Sequence, residues 1–243
     1  MSVDEDTVIK WQGKHLAVTV LFSRAGLAQQ IWIEHENRAL LFDTGDGTLR
    51  DMLFNNFDWH KIRGIFYTHG HFDHMGGIYS LLGFLRMVGR TEPLPIYAPE
   101  GSHEVFSSIV TFKRCYPGSV PFNIPGYELT PHEKTDLAGM TIEAYPVVHC
   151  GSVDVDIIQD QIPAFGYRIA CQGETVAISG DTGLCDSLRE LVNGVDLAII
   201  EATAWKKAEM SPAMLERVHL AEDVAVELGK TANEYILVHK GKR

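Results

Sequence analysis

"FYTHGHFDHMGG", residues 66–77, sets His69, His71, Asp73 and His74 within six positions and places a glycine pair directly behind them. The whole chain of 243 residues has eleven histidines, so three in this window is a marked concentration. The run before it, "IRGIFYTH", is short and apolar, as a buried strand is. The run after it, "GGIYSLLGFLRMVG", has helical apolar spacing. Side chains two apart in an extended segment point the same way, so His69 and His71 can chelate one ion. Asp73 and His74 follow where the chain must turn, and they can face a second ion. Imidazole nitrogen with carboxylate oxygen suits zinc, with manganese and iron as further candidates.

One cluster cannot complete two coordination shells. Three later residues stand where further ligands would be expected. His149 ends "EAYPVVHC", Asp181 closes "VAISGDTG" and His239 ends "EYILVHK". Each follows an apolar strand-like run, where one site can collect side chains from several strands. A carboxylate can bridge two metals, and Asp181 is the candidate for that place.

The rest of the chain reads as one domain, residues 1–243, with no repeat, low-complexity tract or linker. Hydrophobic residues make up 45% and charged residues 22%, enough apolar content for a sizeable core and against disorder. No apolar run reaches the roughly 18 residues of a membrane span. "MSVDEDTVIK" is acidic and lacks the apolar stretch of a signal peptide, so a cytoplasmic protein is expected. Cys115, Cys150, Cys171 and Cys185 are scattered without a C-x-x-C pair, which fits reduced thiols. The net charge of −11 gives no general attraction to polyanions.

Strands are expected in "HLAVTVLFS", "QQIWIEHENRALLFDTG" (a hairpin breaking at "ENR"), "LPIYAPE", "MTIEAYPVVH", "FGYRIACQGETVAISGD" (a hairpin turning at "CQGE"), "VDLAIIEAT" and "EYILVHK". "SHEVFSSIVTFKRC", with a serine cap, "CDSLRELVNG" and "HLAEDVAVELGK" read as helices. Each half is mostly strands followed by helices, an order that two facing sheets with helices outside would satisfy.

These motifs resemble the metallo-β-lactamase superfamily, and within it the ribonuclease Z-like phosphodiesterase branch. "LLFDTGDGTLRDML", "IFYTHGHFDHMGGIYSLL", "LPIYAPEG", "AISGDTG", "AIIEAT", "HLAEDVAVELGK" and "ILVHK" fall in the family's order over nearly the whole length. The resemblance implies an α/β fold, a four-layer αββα sandwich. It implies two divalent metal ions, zinc first. His69, His71 and His149 would hold one, Asp73, His74 and His239 the other, and Asp181 would bridge them. Asp43 in "LFDTG" resembles a buried aspartate that orients the first cluster. Asp73 would accept the proton of the attacking water. His219 resembles a histidine that contacts the phosphate or protonates the leaving group, with Glu201 as its acidic partner. A dimer is the implied assembly.

The chain also departs from that pattern. Enzymes of this branch that process tRNA carry a basic arm, which in the usual bacterial form falls between residues matching His149 and Asp181. Here those two are 32 positions apart. The intervening "GSVDVDIIQDQIPAF" is acidic through Asp154, Asp156 and Asp160 and reads as a solvated turn, with a lip of the active site as the alternative. "KGKR" replaces the family's Arg-Tyr ending, and Phe72 stands where many tRNA processors have a smaller residue. The expected substrate is therefore a small or short nucleotide-type phosphodiester. Long nucleic acid is left open, with tRNA 3′-processing and a carbonyl hydrolase of lactonase or thioesterase type as alternatives on the same site.

Overall fold

The structure, a computed structural model, describes residues 8–154, 157–204 and 206–241. The acidic start of the chain, Asp156 and the final Lys242 and Arg243, singled out above, lie outside the described residues. Two compact units are formed, Met1–Ser23 with Leu27–Leu129, and Arg24–Gly26 with Thr130–Arg243.

In the first unit, seven strands form one sheet in chain order: β1 (Ile9–Gln12), β2 (Ala17–Arg24), β3 (Ala28–His35), β4 (Arg38–Phe42), β5 (Ile62–Phe66), β6 (Ile96–Pro99) and β7 (Gly126–Leu129). The β3–β4 hairpin turns at the expected break, with Glu36 in the left-handed region at φ 52°. From β4 onward the strands run parallel, so each connection must cross over the sheet. Helix α1 (Thr48–Phe54) lies in the first crossover, α2 (Phe72–Met75) and α3 (Ile78–Met87) in the second, and α4 (His103–Cys115) in the third.

The spacing of Leu81, Leu82 and Leu85 on α3, and of Val105, Ile109 and Phe112 on α4, turns one apolar stripe of each helix into the core. There they meet Leu41, Ile65, Tyr67, Ile96 and Ala98 from alternate strand positions. Each leucine, isoleucine, valine or phenylalanine side chain among them stabilises by about 1.5–3 kcal/mol when fully buried. The intervening positions carry a ladder of stacked rings. Phe42, Phe66, Tyr97 and Tyr127 follow one another at centroid separations of 5.3, 4.4 and 5.0 Å across β4 to β7. Ser102 does take the N-cap position of α4, but its hydroxyl makes no cap bond. Its ψ of 68° falls short of the extended conformation that presents the oxygen to the first-turn amides.

In the second unit the strands are β8 (Lys134–Leu137), β9 (Met140–Pro146), β10 (His149–Asp154), β11 (Ile157–Ile162), β12 (Phe165–Cys171), β13 (Glu174–Ile178), β14 (Leu197–Glu201) and β15 (Glu234–Val238). Its helices are α5 (Asp186–Val192), α6 (Pro212–Arg217) and α7 (Glu222–Gly229). Six of these strands form a sheet in the order β15-β14-β13-β12-β9-β8. The β12–β13 hairpin turns at Gln172 and Gly173, as expected, and β13, β14 and β15 run parallel. Leu188, Leu191 and Val192 of α5 and Ala225 and Leu228 of α7 bury against Ala177, Ala198 and Ile200.

Two readings of the sequence need correction here. The acidic stretch after His149 is not a turn but a two-stranded ribbon, β10 with β11, in which His149 faces Ile162 and Cys150 faces Gln161. Ile157, Ile158 and Ile162 supply the β preference, and two register shifts absorb the irregular spacing. His219 does not open a helix. Ala221 is held extended, at ψ 150°, by a bridge to Ala204, and the Glu222 amide donates to the Ala204 carbonyl at 2.6 Å. The helix therefore starts at Glu222, and His219 lies in the preceding loop.

Parallel strands present their C-terminal ends on one side of their sheet, where ligand sites gather in open α/β sheets. Asp43 follows β4, His69 follows β5, Asp181 follows β13, Glu201 ends β14 and His239 follows β15. His149 differs, because it opens β10.

Candidate metal centre

In the first unit the cluster is built around a buried carboxylate. Asp43 is fully buried, and its φ of 60° turns the chain out of β4. Its oxygens accept from the Thr68 amide at 2.8 Å, from Thr68 Oγ1 at 2.9 Å and from His74 Nδ1 at 2.8 Å. Burial pushes the Asp43 carboxyl above its ordinary range, and His74 and Thr68 oppose that rise. Thr68 Oγ1 gives its hydrogen to Asp43, so towards His69 Nδ1, 3.1 Å away, it must accept. Both His69 and His74 therefore carry their hydrogen on Nδ1, which leaves Nε2 as the coordinating nitrogen.

His71, in extended conformation, precedes the single turn α2, whose turn carries Asp73 and His74. The His69 ring lies 4.7 Å from that of His71 and 4.1 Å from that of His74, centroid to centroid. Asp73 Oδ2 is 4.0 Å from His74 Nε2. The turn is pinned from outside. The Thr44 amide donates to the His74 carbonyl at 2.7 Å, and the Gly77 amide donates to the Thr44 carbonyl at 2.8 Å.

In the second unit the same device recurs on different residues. His149 is buried, and its Nδ1 donates to the Val218 carbonyl at 2.8 Å. A carbonyl can only accept, so the lone pair of His149 is on Nε2. Glu201, 1% exposed, accepts from the Thr182 amide at 3.1 Å, the Thr203 amide at 3.0 Å, Thr203 Oγ1 at 2.9 Å and His219 Nδ1 at 2.9 Å. Thr203 Oγ1, its hydrogen given to Glu201, accepts from His239 Nδ1 at 3.0 Å. His239 sits at φ 54°, a left-handed conformation that a non-glycine residue holds only where its surroundings fix it. Asp181 Oδ1 is 3.3 Å from His239 Nδ1, and its Oδ2 lies 3.9 Å from His219 Nδ1 and 4.0 Å from His149 Nε2. Asp181, His219 and His239 offer ligand atoms all within 4.8 Å of one another.

The donor chemistry in each unit fits a divalent ion of the zinc type. It is imidazole nitrogen beside carboxylate oxygen, and in His69, His74, His149 and His239 a second hydrogen bond takes up Nδ1 and leaves Nε2 to coordinate. Within the first unit His69, His71, Asp73 and His74 come together, and Asp43 orients them. Within the second, His149, Asp181, His219 and His239 come together, and Glu201 bonds His219 as the sequence suggested. The sequence reading missed Thr68 and Thr203, the hydroxyls that link each carboxylate to a histidine. The only signal for them was position, directly before His69 in "YTH" and directly after Ala202 in "EAT". Among the described residues no disulfide joins the cysteines, and no helix is long and apolar enough to cross a membrane.

Residues 38–239 match the family described as the beta-lactamase superfamily domain. Ribonuclease BN of Escherichia coli O6:K15:H31 is 29% identical over 241 residues, spanning 84% of this chain and 78% of that protein. Human tRNase Z, short form, has the same fold at 24% identity with a TM-score of 0.76, covering 93% of each chain. The metallo-beta-lactamase fold protein YhfI from Bacillus subtilis is 21% identical with a TM-score of 0.73, over 94% of this chain and 87% of that one. The expected α/β fold class is the one these likenesses give.

Proposed function

The chain belongs to the beta-lactamase superfamily, and from that premise we propose that it is a metal-dependent phosphodiesterase with a dinuclear centre. Its substrate is a small or short nucleotide-type phosphodiester. The two units act as one hydrolase domain. His69, His71 and His149 would hold one divalent ion and Asp73, His74 and His239 the other, with Asp181 as a ligand available to both. The imidazole-rich donor set favours zinc. Such ions, when bound, polarise phosphoryl oxygens and lower the pKa of water towards neutrality.

The protein's own groups do the rest. Asp43 and Thr68 hold His69 and His74 in the tautomer that coordinates. Val218 does the same for His149, and Thr203 for His239. Asp73 takes the proton of the attacking water. His219, with Nδ1 anchored on Glu201, presents Nε2 to the phosphate or to the leaving oxygen.

The observation that supports the phosphodiester reading is the His219 Nδ1 to Glu201 Oε1 bond of 2.9 Å, which anchors this histidine 3.9 Å from Asp181 Oδ2 and leaves its Nε2 for a phosphate or leaving oxygen. The small-substrate reading is supported by the chain between His149 and Asp181. It is occupied by the β10–β11 ribbon and the β12–β13 hairpin, with no segment left for a basic arm. The alternative, tRNA 3′-processing, draws on the names of Ribonuclease BN and tRNase Z among the similar proteins.

Metal content, hydrolysis of bis(p-nitrophenyl) phosphate and cleavage of a pre-tRNA, measured on one batch, decide between them. Two metals with diester turnover and no tRNA cut are expected. Efficient tRNA trimming would overturn the small-substrate reading. Turnover of a lactone or thioester, with none of phosphodiesters, would move the protein to carbonyl chemistry. A cytoplasmic homodimer completes the proposal, and sedimentation of the same batch reads the oligomer.

A further inference from the structure

The four ligands of the first unit are not equally covered. His69 and His74 are fully buried and Asp73 is 6% exposed, whereas His71 is only partly buried. His71 therefore marks where this cluster opens to solvent. The residue on each side of it is unusual. Phe72, the first residue of α2, is 65% exposed, although it lies between two ligands. Among the described residues no aromatic ring pairs with it, and it belongs to neither apolar cluster described above. On the other side, Gly70 is covered by the side chain of Glu104 from the first turn of α4. A Cβ added to Gly70 would come within 1.6 Å of Glu104 Oε1 and 2.3 Å of its Cγ. His71 is thus bordered by the exposed ring of Phe72 on one side and, on the other, by Gly70 with the carboxylate of the exposed residue Glu104 resting on it.

A phenyl face stacks on a planar base, at any base identity. An exposed carboxylate accepts hydrogen bonds from hydroxyl or amino groups and repels further phosphate charge. We propose that Phe72 and Glu104 form a nucleoside-recognition rim, so that the preferred substrate is a phosphodiester carrying one nucleoside, its base stacked on Phe72 and its ribose hydroxyls or base amino group donating to Glu104. This rests on the phosphodiesterase reading and narrows it. The carboxylate works against a second phosphate, so the rim selects a single diester over an oligonucleotide.

The test compares uridine 5′-(p-nitrophenyl phosphate) with methyl p-nitrophenyl phosphate, which shares the leaving group but has no base or ribose. The wild-type protein should show the higher kcat/KM for the uridine ester. Phe72→Ala and Phe72→Leu should lower the ratio of the two kcat/KM values roughly tenfold, chiefly through KM of the uridine ester, and Phe72→Tyr should keep it. Glu104→Gln should lower the ratio less, and Glu104→Lys should raise activity on a short oligonucleotide, which carries further phosphates. Ratios that do not move in Phe72→Ala overturn the rim. If the wild-type protein cleaves neither ester, the phosphodiesterase reading itself fails. Calorimetric binding of uridine 5′-monophosphate then judges the rim separately. Binding lost in Phe72→Ala and kept in Phe72→Tyr supports it, and equal binding by both variants overturns it.

Discussion

His219 Nδ1 lies 2.9 Å from Glu201 Oε1, and three other donors, from Thr182 and Thr203, converge on the same carboxylate. The carboxylate is fixed before the histidine meets it, so the pair is an anchored device and not a chance surface contact. Glu201→Gln keeps one carbonyl oxygen but turns the other acceptor into a donor facing the Thr203 amide. We predict a fall in kcat of roughly 10²-fold with little change in KM, against about 10²–10⁴-fold for His219→Ala. The double variant should be no worse than His219→Ala alone, because the two act as one unit. Additive losses in that cycle would mean that Glu201 does not work through His219.

Asp43 offers a cleaner separation of backbone from side chain. Its φ of 60° is tolerated by Asn almost as well as by Asp, so Asp43→Asn leaves the turn intact and changes only the hydrogen-bond chemistry. One oxygen that now accepts becomes an NH2 group facing the Thr68 or His74 hydrogen. We predict a loss of about 1–3 kcal/mol in stability, and a metal affinity lower by roughly 10–100-fold. Thr68→Val, which removes the hydroxyl at nearly constant shape, should lower affinity in the same direction, and Thr68→Ser should restore most of it. Metal titration by calorimetry reads the affinity. Unchanged affinity in Asp43→Asn would remove the orienting role.

The parts of this arrangement that the sequence disclosed are those written in adjacent residues. His69, His71, Asp73 and His74 share one short loop, so their spacing alone declares a ligand cluster. Parallel strands such as β6 and β14 are buried along their whole length, so their apolar runs were equally plain. The ribbon was harder to see. β10 and β11 are short and irregular in register, and Gln159, Asp160 and Gln161 are exposed polar residues in a row, so β11 resembles a solvated loop. The hydroxyl links were harder still. Thr68 binds Asp43 from 25 positions away, and Thr203 binds His239 from 36 away. No local pattern encodes such pairings, because the fold makes them by aligning strand ends. The position of His219 was misread for a similar reason, since the bridge from Ala204 to Ala221 delays the helix.

Removal of metal should be visible in stability as well as activity. Ions that bind the folded chain and not the unfolded one stabilise it by mass action, about 2.7 kcal/mol at a hundredfold excess over Kd. For a chain of this size that is roughly 5–10 °C in Tm. We predict that dialysis against a chelator abolishes hydrolysis and lowers Tm by that order. Zinc should restore both, and magnesium should restore neither, because the imidazole-rich set is a poor match for it. A Tm indifferent to chelation and to added zinc would count directly against bound metal.

Two glycine-to-alanine changes should have opposite signs, for reasons that lie in their surroundings. Gly77 sits behind the ligand turn, where a Cβ would come within 2.4 Å of the Gly45 carbonyl oxygen and 2.9 Å of the Thr44 carbonyl oxygen. Both are backbone atoms of the loop that follows β4, and that loop also bonds the His74 carbonyl and the Gly77 amide. To admit the methyl group, the loop must move away from α2, and the ligands it pins move with it. Gly77→Ala should therefore destabilise by about 1–3 kcal/mol, and metal affinity should fall along with Tm. Gly83 lies within α3, where an added Cβ meets nothing within 4 Å. There the only effect is on the chain's freedom before folding, and Gly83→Ala should stabilise by about 0.5–1 kcal/mol with metal affinity unchanged. Thermal melts and zinc titrations on both variants check this together. If Gly77→Ala loses stability but binds zinc normally, the backbone clamp between Thr44 and Gly77 supports the fold alone and does not position the ligands.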